Sequence, residues 1–457
     1  MIDAQAVIDA APLSRLQKRA LVLSFGLAMI DGFDSLIIGF VVPAISGDWK
    51  VTAAALTPVI IGGLLGTIAG ALLLAPLADR FGRRRIMNVG LVVFGALTLV
   101  SAFSGSIAEL AALRFCAGLG LGAVVPSLIG YCSEYAPKPM RATVVTLAGA
   151  GLAAGGFIGG FIAGYLVPTF GWHSVFLLGG IAPLVYVLVT LRWLPESVQF
   201  CVARGRNADA ARLLEQIDPS QSITETDRLA LPGKVKAGRA PMTALFTEGR
   251  ALTTVLLWIV FFNALLLSFF IFSWMPSLLT AADLGKSASL IATSVCTLGG
   301  MIGGVLLGIV ADRRESPIRM LAGGFVLAAI ATFVTAQTMG SLVPLLFAVF
   351  ALGIGVIGTQ TCVNAVAVGL YPAKIRATGV GWCYGVGRVG SLVGPAIGGI
   401  LLGANVSPQA IFLCAMVPAG LAAVAMGLLS LLHRRTESRA ALEPTPAPVP
   451  PAENFLS

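Results

Sequence analysis

The ten residues EYAPKPMRAT, 134–143, return as LYPAKIRAT, 370–378, and the shared Arg-Ala-Thr moves by 235 positions, from Arg141 to Arg376. Two further marks repeat at nearly the same interval. LADR at 77–80 reappears as VADR at 310–313, and GGFIGG at 155–160 corresponds to GPAIGG at 394–399. The chain therefore reads as one unit duplicated. Apolar windows of about 20 residues, long enough to cross a bilayer as helices, fall near 20–43, 54–77, 86–104, 109–132, 142–165 and 173–193. Six more fall near 252–279, 288–311, 318–337, 342–369, 377–401 and 408–432. They are too long for barrel strands and lack strand alternation. The expected fold is an all-α membrane protein: twelve transmembrane helices in two pseudo-symmetric six-helix bundles. The expected segments are 1–19, an N-terminal piece; 20–193, the first bundle; 194–251, a linker with an amphipathic helix at 207–217; 252–432, the second bundle; and 433–457, a Pro-rich disordered tail. Such a repeat places a site between the halves near mid-depth and makes alternating-access transport the leading hypothesis.

Composition agrees with a membrane chain. Of 457 residues, 57% are hydrophobic and 11% charged, against about 25% charged in soluble proteins. The start, MIDAQAVIDA, lacks a basic n-region and does not read as a cleaved signal peptide. With an even number of spans both termini share one side. Placing them in the cytoplasm puts every one of the 30 lysines and arginines there except Lys50 and Lys286, in outward loops, and Arg114 and Arg388, inside spans. This is the positive-inside pattern, and it accounts for the net charge of +9 without a nucleic-acid partner. Two histidines and seven scattered cysteines with no CxxC pair leave no metal site and no disulfide framework. No GxSxG, HExxH or P-loop supplies an enzyme.

The stretch MIDGFDSLIIGF, 29–40, sets Asp31 and Asp34 inside an apolar span, where each charge costs about 2.5–3.5 kcal/mol on insertion scales. Three residues apart, they share a helix face. Arg114 and Arg388 lie in spans four and eleven, in opposite halves, so the four charges cancel. One reading is a salt-bridge staple. The other is proton-coupled transport of an anion: Asp31 and Asp34 titrate as a unit, and Arg388 or Arg114 receives a carboxylate. One anion and one proton together leave the site's charge unchanged. The apolar part of such an anion needs an apolar slot with a few polar contacts. Candidates are Phe33, Tyr131, Asn263, Phe270, Trp274, Gln360, Asn364, Trp382 and Tyr384, with the amides favoured because amides inside spans need partners.

ADRFGRRR (78–85) between spans two and three resembles the loop signature of the major facilitator superfamily, and GIVADRRES (308–316) is its degenerate second copy. RFCAGLGLG (114–122) resembles that superfamily's fourth-span motif. DGFD (31–34), SEYAP (133–137), LPES (194–197) and GRVGS (387–391) together resemble the aromatic acid:proton symporter family. The resemblance implies uptake of a small aromatic carboxylate such as a hydroxybenzoate with protons, in service of aromatic catabolism. It implies a monomer in the bacterial cytoplasmic membrane, without a cofactor. It also implies a cytoplasmic gate of Asp79, Arg80, Gly82, Arg83, Arg84, Glu134, Arg141, Asp312, Arg313 and Arg376, whose inter-helix pairs hold the outward-open state. There are departures: Ala75 replaces a motif glycine, the second loop copy lacks the basic run, and His173 stands at the outer mouth where relatives carry Arg. A sugar or polyol porter would carry a Gln-rich seventh span, which reads FFNALLLSFF here. A drug:proton antiporter would carry GPxxGG in span five, but it occurs in span eleven. A transporter-like chemoreceptor is separated from both by an uptake assay.

Overall fold

The computed structural model describes residues 2–137, 140–219, 229–230, 242–313, 317–372 and 375–442. Among the described residues, twelve helices are long and apolar enough to cross a membrane. The first half holds α1 (Arg15–Asp48), α2 (Thr57–Leu73), α3 (Arg83–Ser101), α4 (Ile107–Tyr135), α5 (Arg141–Phe170) and α6 (His173–Trp193). The second half holds α7 (Ala251–Ala281), α8 (Lys286–Arg313), α9 (Pro317–Thr338), α10 (342–370), α11 (Arg376–Gly403) and α12 (Pro408–Leu442). Helix α12 runs on into the segment expected to be disordered; residues 443–457 lie outside the described residues.

Local chemistry sets the helix ends. Helix α1 starts at a capping box: Ser14 accepts from the Gln17 N–H, and Gln17 Oε1 accepts from the Ser14 N–H at 2.8 Å, satisfying two orphan donors. Its 34 residues span about 51 Å at 1.5 Å each, well beyond a hydrocarbon core of about 30 Å. Gly82, at φ +98°, separates a short turn of helix from α3, and Gly171, at φ +77°, ends α5. Both conformations favour glycine because a Cβ is strained there.

Each half pairs its helices in the same way. Helices α1 and α5 pack as α7 and α11 do, α2 and α4 as α8 and α10, and α3 and α6 as α9 and α12. Small residues bring the backbones together. A Cβ on Gly66 would lie 2.0 Å from the Phe115 carbonyl, and one on Gly353 would lie 1.9 Å from the Cys296 carbonyl. Between the halves α1 meets α7, α2 meets α11, and α5 meets α8, the pattern a two-fold axis relating the repeats requires.

The apolar core is divided unevenly. On the side away from the termini, one cluster draws on both bundles, with Phe40 and Phe176 from the first and Trp274 and Phe412 from the second. On the termini side each bundle has its own cluster, one around Tyr131 and Tyr135, the other around Phe261 and Tyr371. Close approaches between the bundles also fall on the far side: Gly39 against the Phe272 carbonyl, Gly160 against Ser294, and Gly399 against Thr57. The space between the halves is thus closed on the far side and opens toward the termini. Beneath the first bundle, linker helices Val198–Ala203 and Asn207–Ile217 pack with the N-terminal helix Ala4–Ala10. The helix expected at 207–217 buries Ala210, Ala211, Leu214 and Ile217.

Candidate functional site

A cavity of about 270 Å³ lies between the bundles, walled by α1, α2, α4 and α5 on one side and α7, α8, α10 and α11 on the other. Asp31, Asp34, Arg114 and Arg388 all line it. Their surroundings differ. Arg114 is 3% exposed, and its Nη1 donates to Asp34 Oδ1 at 3.1 Å. Its Nη2 donates to Thr98 Oγ1 at 2.7 Å and Ser101 Oγ at 3.1 Å, both on α3. The guanidinium also sits 5.2 Å from the centre of the Phe176 ring, within cation–π range. Asp34 and Arg114 are therefore locked within the first bundle.

Arg388 belongs to the second bundle, and among the described residues its guanidinium makes no hydrogen bond or ion pair. It lies within electrostatic reach of Asp31, which is buried and likewise makes no hydrogen bond or ion pair among the described residues. Gly32 fixes the face that α1 shows the cavity: a Cβ there would fall 1.8 Å from the Leu152 carbonyl of α5. Tyr384, one turn before Arg388 on the same face of α11, also lines the cavity. Apolar wall is supplied by Ile60, Leu121, Phe269, Phe272 and Met301.

Of the nine pocket residues expected from the sequence, Gln360 and Tyr384 line this cavity. Trp274 is buried in the far-side core, donating to the Pro395 carbonyl at 2.8 Å. Phe270 packs edge-on against Phe412, and Phe33 against Gly159 and Gly179. Tyr131 is fully buried on the termini side and donates to the Pro195 carbonyl at 2.9 Å. Asn263 turns its amide back to the Ile259 carbonyl of its own helix, at 2.8 Å. Trp382 stands half-exposed beside Trp258, and Asn364 is off the cavity wall. Their helix faces carry them elsewhere. Thr98 and Ser101 carried no sequence signal, since hydroxyls inside spans usually bond their own helix.

Charges buried on two six-helix repeats, around a cavity at the repeat interface, meet matching comparisons. The family model described as Major Facilitator Superfamily matches residues 24–387 and 317–456. The chain belongs to the major facilitator superfamily. It is 38% identical over 442 residues to the 4-hydroxybenzoate transporter PcaK of Acinetobacter baylyi, covering 94% of this chain and 95% of that one. It is 33% identical to the gallate transporter of Pseudomonas putida, covering 93% and 94%. Within the superfamily it thus belongs with the aromatic acid transporters, and it is a transporter rather than an enzyme. Among solved structures, it resembles the xylose transporter XylE from E. coli in a partially occluded inward open conformation, with TM-score 0.68 at 16% identity, covering 90% of this chain and 97% of that one. At that identity the likeness speaks for the fold alone.

The superfamily's loop signature forms a network at the termini side. Arg83, the first residue of α3, pairs with Glu134 at the end of α4 at 2.7 Å. Ser197 donates to the same carboxylate. Glu196 accepts the Arg84 backbone N–H at 3.1 Å, and the Arg84 guanidinium donates to the Leu191 carbonyl. Arg204 donates to the Arg80 carbonyl. A Cβ on Gly82 would sit 2.7 Å from Glu196 Oε2, and one on Gly130 would sit 1.5 Å from Arg83 Nη1. Both glycines keep room for the network. Arg376, in the second half, donates to the Tyr371 carbonyl at 3.2 Å. The Arg83–Glu134 pair lies within one bundle and is made while the cavity opens on this side, so it does not depend on an outward-open arrangement. The side chains of Asp79, Arg141, Asp312 and Arg313 lie outside the described residues.

Proposed function

We propose that this chain is a proton-coupled symporter that takes up a small aromatic carboxylate by alternating access. Its membrane is the bacterial cytoplasmic membrane, and the termini side is cytoplasmic. The observation carrying the proposal is the contrast between the two buried arginines. Arg114 is held by Asp34, Thr98 and Ser101. Arg388 faces the same cavity without such partners among the described residues. A planar fork of donors suits a carboxylate, so the substrate carboxylate binds at Arg388, with the Tyr384 hydroxyl as a second donor. Arg114 holds Asp34 in place.

Asp31 then carries the coupled proton. Without substrate it is the counter-charge of Arg388 across the two bundles. When a carboxylate arrives, a proton on Asp31 removes the like-charge repulsion and leaves the loaded site with its original net charge. Carrying the anion alone against an inside-negative potential would cost about 2.3 kcal/mol per 100 mV, which one proton cancels. The ring lies among Phe269, Phe272, Met301 and Leu121. The cavity of about 270 Å³ holds on the order of nine waters at roughly 30 Å³ each, which is room for a single ring with its substituents. The relatives named for 4-hydroxybenzoate and gallate support that choice of substrate, and the lysine and arginine distribution supports the orientation.

The test is uptake of radiolabelled 4-hydroxybenzoate into proteoliposomes under an imposed inward proton gradient, with and without a protonophore. Accumulation that the protonophore abolishes is the expected result. Accumulation indifferent to the protonophore overturns proton coupling, and no accumulation of any aromatic acid overturns the substrate class.

A further inference from the structure

Helix α10 is not regular. A π turn at Ile354–Gly358 interrupts it, and the inserted residue rotates the segment that follows by about 100° relative to a continuous helix. Glycines clamp the turn. A Cβ on Gly355 would fall 2.6 Å from Ala328 of α9, and one on Gly358 would fall 2.8 Å from Gly303 of α8. Gln360 and Thr361, two and three residues past Gly358, line the cavity together with Ile357.

Gln360 is anchored at one end only. Its Oε1 accepts from Ser268 Oγ of α7 at 2.6 Å. Ser268 is 1% exposed and has no other acceptor among the described residues, so its hydroxyl proton goes to Gln360. That fixes the orientation of the amide, since the flipped amide would leave the hydroxyl proton without an acceptor. The Nε2 group, with two donor hydrogens, has no acceptor among the described residues. The Nε2 end is open to the cavity, where it can donate to water or to a bound ligand.

We propose that Gln360, positioned by Ser268, is the specificity-determining donor that reads an oxygen substituent on the aromatic ring. The inference rests on the aromatic-carboxylate reading above and extends it from the class of substrate to the choice within the class. With the carboxylate at Arg388, a ring hydroxyl or methoxyl oxygen accepts from Nε2. An unsubstituted ring leaves that donor to water. A site built to bond a polar group discriminates against the analogue lacking it.

The test compares half-saturation for 4-hydroxybenzoate and benzoate, by competition in the reconstituted full-length transporter, in wild type, Gln360→Met and Ser268→Ala. Methionine keeps the length of glutamine without its donor. The expected result is that 4-hydroxybenzoate weakens roughly three- to tenfold in Gln360→Met, the worth of one neutral hydrogen bond, while benzoate is unchanged. Ser268→Ala moves the same ratio in the same direction by less, and it carries the test if Gln360→Met fails to fold. Equal weakening of both acids, or no change in either, overturns the inference and makes Gln360 a packing residue. Failure of the wild type to bind either acid overturns the aromatic-acid reading itself, and that result is visible before any variant is compared.

Discussion

Gly130→Ala tests whether the loop-signature network is built as described. The added methyl would sit 1.5 Å from Arg83 Nη1 and 2.7 Å from its Cζ, a separation no rotamer of alanine can relieve. The guanidinium must leave, and with it goes the 2.7 Å pair to Glu134. That pair is intermediate in burial, at 21% and 5% side-chain exposure. Exposed pairs are worth under about 1 kcal/mol, and breaking buried ones costs about 3–5 kcal/mol, so the loss here is about 2 kcal/mol. Replacing glycine in a helix interior returns about 1 kcal/mol. The net expectation is destabilisation by about 1 kcal/mol. In an Arg83→Ala background the pair is already gone and the clashing atoms are absent, so the same substitution should stabilise by about 1 kcal/mol through the helix term alone. Equilibrium unfolding of the four proteins in mixed micelles reads the cycle directly. Equal effects of Gly130→Ala in both backgrounds would refute the reasoning, because the methyl would then be meeting something other than Arg83.

Three further substitutions address the cavity and its seal. Arg388→Lys keeps the charge and loses the fork; half-saturation for the aromatic acid should rise about tenfold or more with an unchanged melting temperature, and an unchanged half-saturation would reduce Arg388 to packing. Asp31→Asn should abolish gradient-driven accumulation in proteoliposomes while leaving counterflow of labelled for unlabelled substrate; normal accumulation would remove Asp31 from coupling. Gly160→Val adds bulk where a Cβ already falls 1.9 Å from Ser294 Oγ, so the far-side seam should not close. Labelling of a Ser273→Cys reporter from the face away from the termini should rise several-fold over the same reporter with Gly160 intact, and unaltered labelling would mean that the seam does not seal there.

The helices were legible in the sequence because hydropathy over one bilayer thickness is a strong signal: the window at 252–279 is observed as Ala251–Ala281. What hydropathy misses is the polar end of a long helix. Helix α1 begins at Arg15 rather than near 20, because its capping box is hydrophilic and stands beyond the apolar run. The four buried charges were legible for the opposite reason, since an ionisable group inside a span is rare enough to stand out. Their division of labour was not. It turns on Thr98 and Ser101, two hydroxyls on a third helix that look like any others. Tyr384 apart, the aromatic candidates lie off the cavity wall because of orientation: Trp274 and Phe270 lie on the same span as the cavity residues Phe269, Phe272 and Ser273, and only packing determines which of them look inward. Gln360 reaches the wall after a π turn that shifts the helix phase, and no periodic reading of the sequence contains that shift.

The uneven core has a thermal consequence. Opening the far side would hydrate apolar surface now shared by Phe40, Phe176, Trp274 and Phe412, while closing the termini side would bury surface between two clusters now separate. Apolar hydration raises heat capacity and burial lowers it. Under the proposed alternating access, the interconversion would carry a heat-capacity change set by the difference between the two areas, small only if they match. If transport proceeds by the proposed alternating access and the areas do not match, the ratio of inward-facing to outward-facing carriers curves with temperature, and so does the Arrhenius plot of transport, with no change in the lipid phase.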